Sequence, residues 1–302
     1  MLLKHRSKTK IIDSYFEGET SSNYFISNSS DGDNDNDRSF YEIKGCEFQG
    51  PINTNTQSVL DNNYSNTQVE NSKFFDLNIG FNNNKGSVIS VRNSYFYNIK
   101  EPIKNVWKAD RIIIENNEFI EVGGAVSSPF YFNTTTEFVK IKNNYITCFL
   151  DDIGANQQII NIRAAKETQV QGNTIVLLET GTSTSTIDGI FVEPKNTDLI
   201  PNMLSIENNL IKNVDRGIVT TIYLNNKFTN GSCTGNVLTN ISNTGIIDNT
   251  GGFFIIKNNI ADGVLISSLP ANADTSSATL SVLETEVNEL KQILRDSGII
   301  SN

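Results

Sequence analysis

One six-residue phrase occurs ten times in this 302-residue chain: an aliphatic residue, a variable one, two small polar residues, a variable one, and a closing aliphatic or aromatic residue. The copies begin at Ile11, Ile43, Val69, Val91, Ile114, Ile141, Val170, Ile206, Cys233 and Ile256. Their starts lie 32, 26, 22, 23, 27, 29, 36, 27 and 23 residues apart. A period in the twenties belongs to solenoids, in which each repeat buries its apolar face only against its neighbours. Residues 1–270 lack the 3.6-residue apolar spacing of a helical solenoid, so the repeats must be built from strands.

Each phrase reads as a strand, a bend and a second strand. Val91 and Phe96 are apolar ends around the polar kink Asn93-Ser94. Asparagine tolerates the left-handed backbone that such a bend requires. Its amide also has a donor and an acceptor for the asparagine one coil away, at the roughly 4.8 Å spacing of adjacent strands. An amide ladder of the cross-β kind follows, and it accounts for the 42 asparagines of the chain. We assign the ladder to Asn116, Asn143, Asn173, Asn208 and Asn258.

A second element, glycine before an aliphatic pair, follows several phrases: Gly124-Ala-Val126, Gly217-Ile-Val219, Gly245-Ile-Ile247 and Gly263-Val-Leu265. It reads as the next strand of the coil, entered through a glycine turn. Two or three short parallel strands per coil are expected, with the apolar ends stacked inward. This arrangement resembles the right-handed parallel β-helix of the pectate-lyase-like superfamily over residues 8–268. The resemblance implies an all-β solenoid of about ten coils, a rod on the order of 50 Å long, occupying residues 1–268.

From about residue 269 to 302 the pattern changes. Leu269 to Ser277 is a small-residue linker with candidate helix caps at Asp274, Ser276 and Ser277. Leu280, Leu283, Val287, Leu290 and Leu294 then fall at spacings of 3, 4, 3 and 4. That is an a/d seam over a little more than two heptads, and Gly298 stops the helix. Two heptads alone are marginal in water. The seam either pairs with copies of itself as a register clamp between associating rods, or folds back over the last coil. We take self-association as the expectation.

A net charge of −10 and a pI near 4.7 argue against nucleic acid, whose phosphates need clustered Lys and Arg. No run of 18 apolar residues is present, so no membrane insertion is expected. Met1 to Lys10 lacks the hydrophobic core of a secretory signal. Cys46, Cys148 and Cys233 lie in or just after the phrase and read as small buried hydrophobes.

Several residue groups are candidates for chemistry. Asp151-Asp152 is the adjacent carboxylate pair inside the solenoid, at a coil corner. Paired aspartates are what a glycoside hydrolase uses as acid and base, but the only histidine is the terminal His5 and a solvated turn is the plainer reading. Lys108 and Arg111, beside the only tryptophan, Trp107, are the basic residues best suited to a uronate lyase, with a coil-edge aromatic and ordinary surface charges as the plainer reading. No residue is assigned a catalytic role. Asp31, Asp33, Asp35 and Asp37 fall at positions 1, 3, 5 and 7 of a calcium-type loop, with Glu42 at position 12. Asn36 stands at position 6, where glycine suits the turn better. Calcium is thus the one cofactor considered, and an exposed acidic loop is the plainer reading. Asp188, Glu193 and Asp198 lie in the longest interval between phrases and read as a partner-contact surface.

A β-solenoid without a signal peptide and with a short terminal coiled coil resembles bacteriophage or viral fibre and spike subunits. The closing stretch Val287 to Ser301 is similar to the C-terminal helices of phage fibre and head-decoration proteins. The resemblance implies a structural virion protein, made in the host cytoplasm and assembled as a homotrimer, contacting capsid or tail proteins and host surface. The enzyme alternative is a polysaccharide depolymerase. The third is a non-catalytic carbohydrate-binding rod, for which Tyr95, Tyr97, Trp107 and Tyr131 are candidate contacts.

Overall fold

The computed structural model describes residues 8–18, 24–28, 39–50, 58–63, 65–85, 88–105, 109–126, 128–132, 136–151, 155–163, 165–180, 186–194, 201–221, 228–249 and 254–266. The chain divides into two units, Met1–Ser267 and Ser268–Asn302. The second unit, with the seam Leu280, Leu283, Val287, Leu290 and Leu294, lies outside the described residues. Among the described residues there is no helix, and the first unit is an all-β parallel β-solenoid.

The chain visits three sheets in turn and returns to the first, so sheet neighbours are three strands apart in sequence. The sheets hold ten, eleven and nine strands. Pairing is parallel throughout except for the last pair of the second sheet, Asn259–Ala261 with Val264–Ile266. Each phrase supplies the end of a first-sheet strand, a corner, and a short second-sheet strand. Val88–Arg92 and Tyr95–Tyr97 are one such pair.

The corner is the third phrase position. All ten residues there, Asp13, Gly45, Asn71, Asn93, Asn116, Asn143, Gly172, Asn208, Gly235 and Asn258, have φ between 47° and 65°. This region is open to asparagine, aspartate and glycine and closed to most other residues. A second left-handed corner follows the phrase by two residues, at Asp76, Asn98, Glu121, Asn213 and Asn240.

The first and sixth positions point inward and stack on themselves. Val69, Val91, Ile114, Ile141, Val170 and Ile206 form one buried column through matched register. Phe16, Phe48, Phe74, Phe96 and Phe119 form the other, with neighbouring centroids 4.7, 5.2, 4.6 and 4.5 Å apart and rings near parallel. The rings of Phe25, Phe81 and Phe130 meet this stack edge-on from the third sheet. Such pairs add about 0.5–1.5 kcal/mol beyond the area they bury. Ile146, Ile175, Ile211 and Leu238 continue the column.

The amide ladder runs through the fourth position, which of the five assigned asparagines only Asn173 occupies; the other four precede it by one residue. Its rungs are Cys46, Ser72, Ser94, Asn117, Asn144, Asn173, Asn209, Asn236 and Asn259. Each backbone N–H from Cys46 to Asn236 donates to the side-chain oxygen of the next rung, at 2.9 to 3.2 Å. From Asn117 on, the side-chain N–H2 also donates to that oxygen and to the carbonyl of a first-position residue one coil back. Asn173 is a rung. Asn116, Asn143, Asn208 and Asn258 are corner residues, exposed at the third position, where left-handed backbone turns their side chains outward. One outer amide contact joins them, Asn143 Nδ2 to Asn116 Oδ1 at 3.3 Å.

The glycine-aliphatic element also differs from expectation. Gly217 and Gly245 lie inside third-sheet strands, and neither has positive φ. A Cβ on Gly217 would run into the carbonyl of Gly245 and the side chain of Leu238. Close packing, not turn geometry, requires glycine there. Gly263, at φ 80°, is a true turn glycine, and it opens the antiparallel hairpin.

Candidate functional site

The third sheet carries the densest polar arrangement off the ladder. Its strands Gln157–Arg163, Ile187–Glu193 and Arg216–Thr220 are adjacent and in register. Ile160, Ile162, Ile190, Val192 and Ile218 fill the core from one side. Alternation turns Lys104, Tyr131, Asn161, Phe191 and Val219, which share one register column, to the other side.

A continuous relay crosses these strands. Asn161 Nδ2 donates to Gln158 Oε1 at 2.8 Å and to Ser128 Oγ at 3.1 Å. Arg163 Nε donates to Asn161 Oδ1 at 3.1 Å, lies 3.6 Å from Glu193 Oε2, and its guanidinium sits 5.6 Å from the Phe191 ring centre. Gln158 hydrogen-bonds Asp188, which Arg216 grips with two N–H groups at 2.5 and 2.9 Å. Asn161, Gln158, Ser128 and Asp188 are buried, whereas Tyr131 and Phe191 are half-buried. Asn161 thus lies buried between two half-buried aromatic rings on the neighbouring strands.

Asp188 and Asp215 stand on neighbouring coils, the placement a two-carboxylate hydrolase would need. Both are committed elsewhere. Asp188 is fully enclosed, and burial raises its pKa, opposed by Arg216 and Gln158. Asp215 accepts from the backbone N–H of Ile187 at 2.8 Å and from the hydroxyl of Ser242. Both carboxylates are thus held by fixed donors of the solenoid.

The other candidates take no part in this relay. Asp151 is exposed at the end of Tyr145–Leu150, its carbonyl accepting from Gln157 Nε2 at 2.8 Å. Arg111 is on an exposed position of Ala109–Glu115, 5.8 Å from the Phe138 ring on the next coil. Glu42 is on the first-sheet strand Ser39–Lys44 and pairs with Lys10 at 2.7 Å. That hydrogen bond holds its carboxyl below the usual glutamate range. Asp31, Asp33, Asp35, Asp37, Trp107, Lys108, Asp152 and Asp198 lie outside the described residues. Among the described residues no group of three or more His, Cys, Asp or Glu could hold a metal ion. Nor is any helix there long and apolar enough to cross a membrane.

The three cysteines are free and buried. Cys46 Sγ donates to the carbonyls of Ile11 and Lys44, each at 3.3 Å. Burial pushes the Cys148 thiol well above its ordinary pKa and that of Cys233 up to about 12. Thiols so protonated are poor nucleophiles.

Sequence reasoning found Asp188 and Glu193 only as part of a long interval, and it missed Ser128, Gln158, Asn161 and Phe191. Their signal is the register of third-sheet strands, which no local spacing encodes. No family model, curated protein or solved structure matches this chain.

Proposed function

We propose that this chain is a structural, adhesive virion subunit, one of three identical chains in a head or tail fibre or spike. The fold is read as a right-handed coil, the usual sense of parallel crossovers. In this reading the C-terminal seam sets the register between copies. The outer faces dock onto capsid or tail proteins and onto host surface, and the protein is made in the host cytoplasm. The observation that carries the reading is the amide ladder from Cys46 to Asn259, in which each rung hands a hydrogen bond to the next. A buried polar spine with every amide satisfied holds a long narrow core in one register. That is a mechanical specification. Light scattering of the full chain tests it: a mass three times the 33.5 kDa chain supports the reading, and a monomer at micromolar concentration overturns it.

The two rings beside Asn161 favour a second reading, non-catalytic glycan contact. Tyr131 and Phe191 stand on the strands either side of Asn161, two strand spacings or about 9.6 Å apart. Aromatic faces suit the apolar faces of sugar rings. Calorimetry with capsular oligosaccharides should give binding that Tyr131→Ala and Phe191→Ala each weaken at least fivefold. Equal affinity in wild type and variants would exclude these rings as the contact.

A further inference from the structure

The fifth phrase position faces outward on the second sheet, and its register column changes character along the chain. From the N-terminal end it reads Tyr15, Glu47, Lys73, Tyr95, Glu118, Tyr145 and Thr174. It then becomes aliphatic without interruption: Leu210, Val237, Ile260 and Leu265. The outer column of the first sheet is polar over the strands before its last. It begins with the ion pair Lys10–Glu42, passes through Ser205 and Ser232, and ends on Ile255. Val237, Ile260 and Leu265 on the second-sheet column are 36, 39 and 64% exposed, and Ile255 on the first sheet is 52% exposed. Outer positions of a sheet are normally polar. An unbroken outward run of exposed aliphatic residues marks a contact surface.

We propose that this C-terminal aliphatic face is a contact between copies of the chain, in which the last coils of neighbouring copies pack side by side. The proposal rests on the homotrimer reading above and deepens it by placing the solenoid's own share of the interface. The occupant follows from where the chain goes next. The described residues end at Ile266, and the self-pairing seam starts at Leu280, 14 residues on. A linker of that length reaches no further than about 50 Å when fully extended. Copies joined at the seam therefore hold their aliphatic faces at an effective concentration in the millimolar range. A patch too small to associate alone is then enough. The seam, marginal at two heptads, gains the support it lacks. The opposite end of the same columns is charged and aromatic, so the copies meet at one end only.

The experiment uses the full chain. The double variant Ile260→Glu/Leu265→Glu places like charges into the contact, and light scattering across a dilution series should show trimer dissociation shifted at least tenfold to higher concentration. In parallel, Leu265→Cys and Tyr15→Cys are treated with a short bismaleimide, the native cysteines being buried. Leu265→Cys should give covalent dimers on a denaturing gel and Tyr15→Cys none. A trimer whose dissociation is unchanged by the double variant, with no Leu265→Cys dimer, overturns the proposal and leaves the homotrimer standing. A wild-type monomer overturns both. A double variant that loses thermal stability with its mass unchanged overturns the proposal in favour of the chain's own terminal segment covering the face. If the double variant misfolds by circular dichroism, the cysteine pair decides alone.

Discussion

Asn144 sends two hydrogen bonds to one atom of Asn173, 29 residues on: its backbone N–H and its side-chain N–H2 both donate to Asn173 Oδ1, each at 2.9 Å. The remaining amide proton of Asn173 reaches the carbonyl of Ile141 at 2.9 Å, and its own backbone donates onward to Asn209 at 3.0 Å. One buried side chain therefore meets groups on the coil before and the coil after its own.

Asn173→Ala should be among the most destabilising polar substitutions in the chain. It strands two donors of Asn144 and the carbonyl of Ile141. Each buried orphan costs about 1–3 kcal/mol, so a loss of about 4 kcal/mol or more is expected in urea unfolding. Asn143→Ala, one coil corner away and exposed, should cost about 1 kcal/mol through its left-handed backbone. Equal losses at the two positions would contradict the assignment of ladder and corner.

The phenylalanine stack makes a separate prediction. Phe96 is sandwiched between Phe74 at 4.6 Å and Phe119 at 4.5 Å and has no exposure. Phe96→Ala should cost about 3–5 kcal/mol, and Phe96→Leu, which keeps most of the volume, under about 2 kcal/mol. Ile175→Val, in the aliphatic part of the same column, should cost about 1 kcal/mol. Thermal unfolding of the three variants ranks them.

The phrase announced strands, corner and inward columns because all three depend on residues adjacent in sequence. The ladder was displaced by one position because Asn116-Asn117, Asn143-Asn144 and Asn208-Asn209 put the same residue at both sites. A discriminating signal was present. Glycine stands at the third position in Gly45, Gly172 and Gly235 and never at the fourth, which takes only serine, cysteine and asparagine. Residues interchangeable with glycine mark the left-handed corner, and small hydrogen-bonding side chains mark the rung. The polar relay around Asn161 was illegible for a different reason. Ser128, Gln158, Asn161 and Asp188 meet through pairing across coils of unequal length, which sequence periodicity does not fix.

The pair Asp188–Arg216 gives a pH signature. Burial lifts the Asp188 pKa above its unfolded value, about 3.9, despite Arg216. The folded state then holds a proton that the unfolded state has lost, so stability falls as pH rises from about 3.9 through the folded pKa. Asp188→Asn removes that slope. The difference in unfolding free energy, wild type minus Asp188→Asn, should decline over this window and then level. A difference that rises with pH would show that Arg216 outweighs burial. Arg216→Ala, which strands the carboxylate, should cost about 3 kcal/mol at neutral pH.

The last prediction concerns why some corners are glycine. Asn143 turns its amide nitrogen toward Asn116, which leaves Oδ1 aimed at the next coil. There a Cβ on Gly172 would collide with it, as one on Gly45 would with Asp13 and one on Gly235 with Asn208. Corner glycines thus make room for the side chain of the corner before. Gly172→Ala should carry two costs, the left-handed backbone at about 1–2 kcal/mol and the collision. Gly263→Ala, with a similar φ and nothing near its Cβ, should carry the first alone. In an Asn143→Gly background the collision is gone and the left-handed corner is kept. Gly172→Ala should then cost no more than Gly263→Ala, giving a coupling of about 1 kcal/mol in a four-protein urea cycle. An equal cost in both backgrounds would mean that backbone geometry alone selects glycine at these corners.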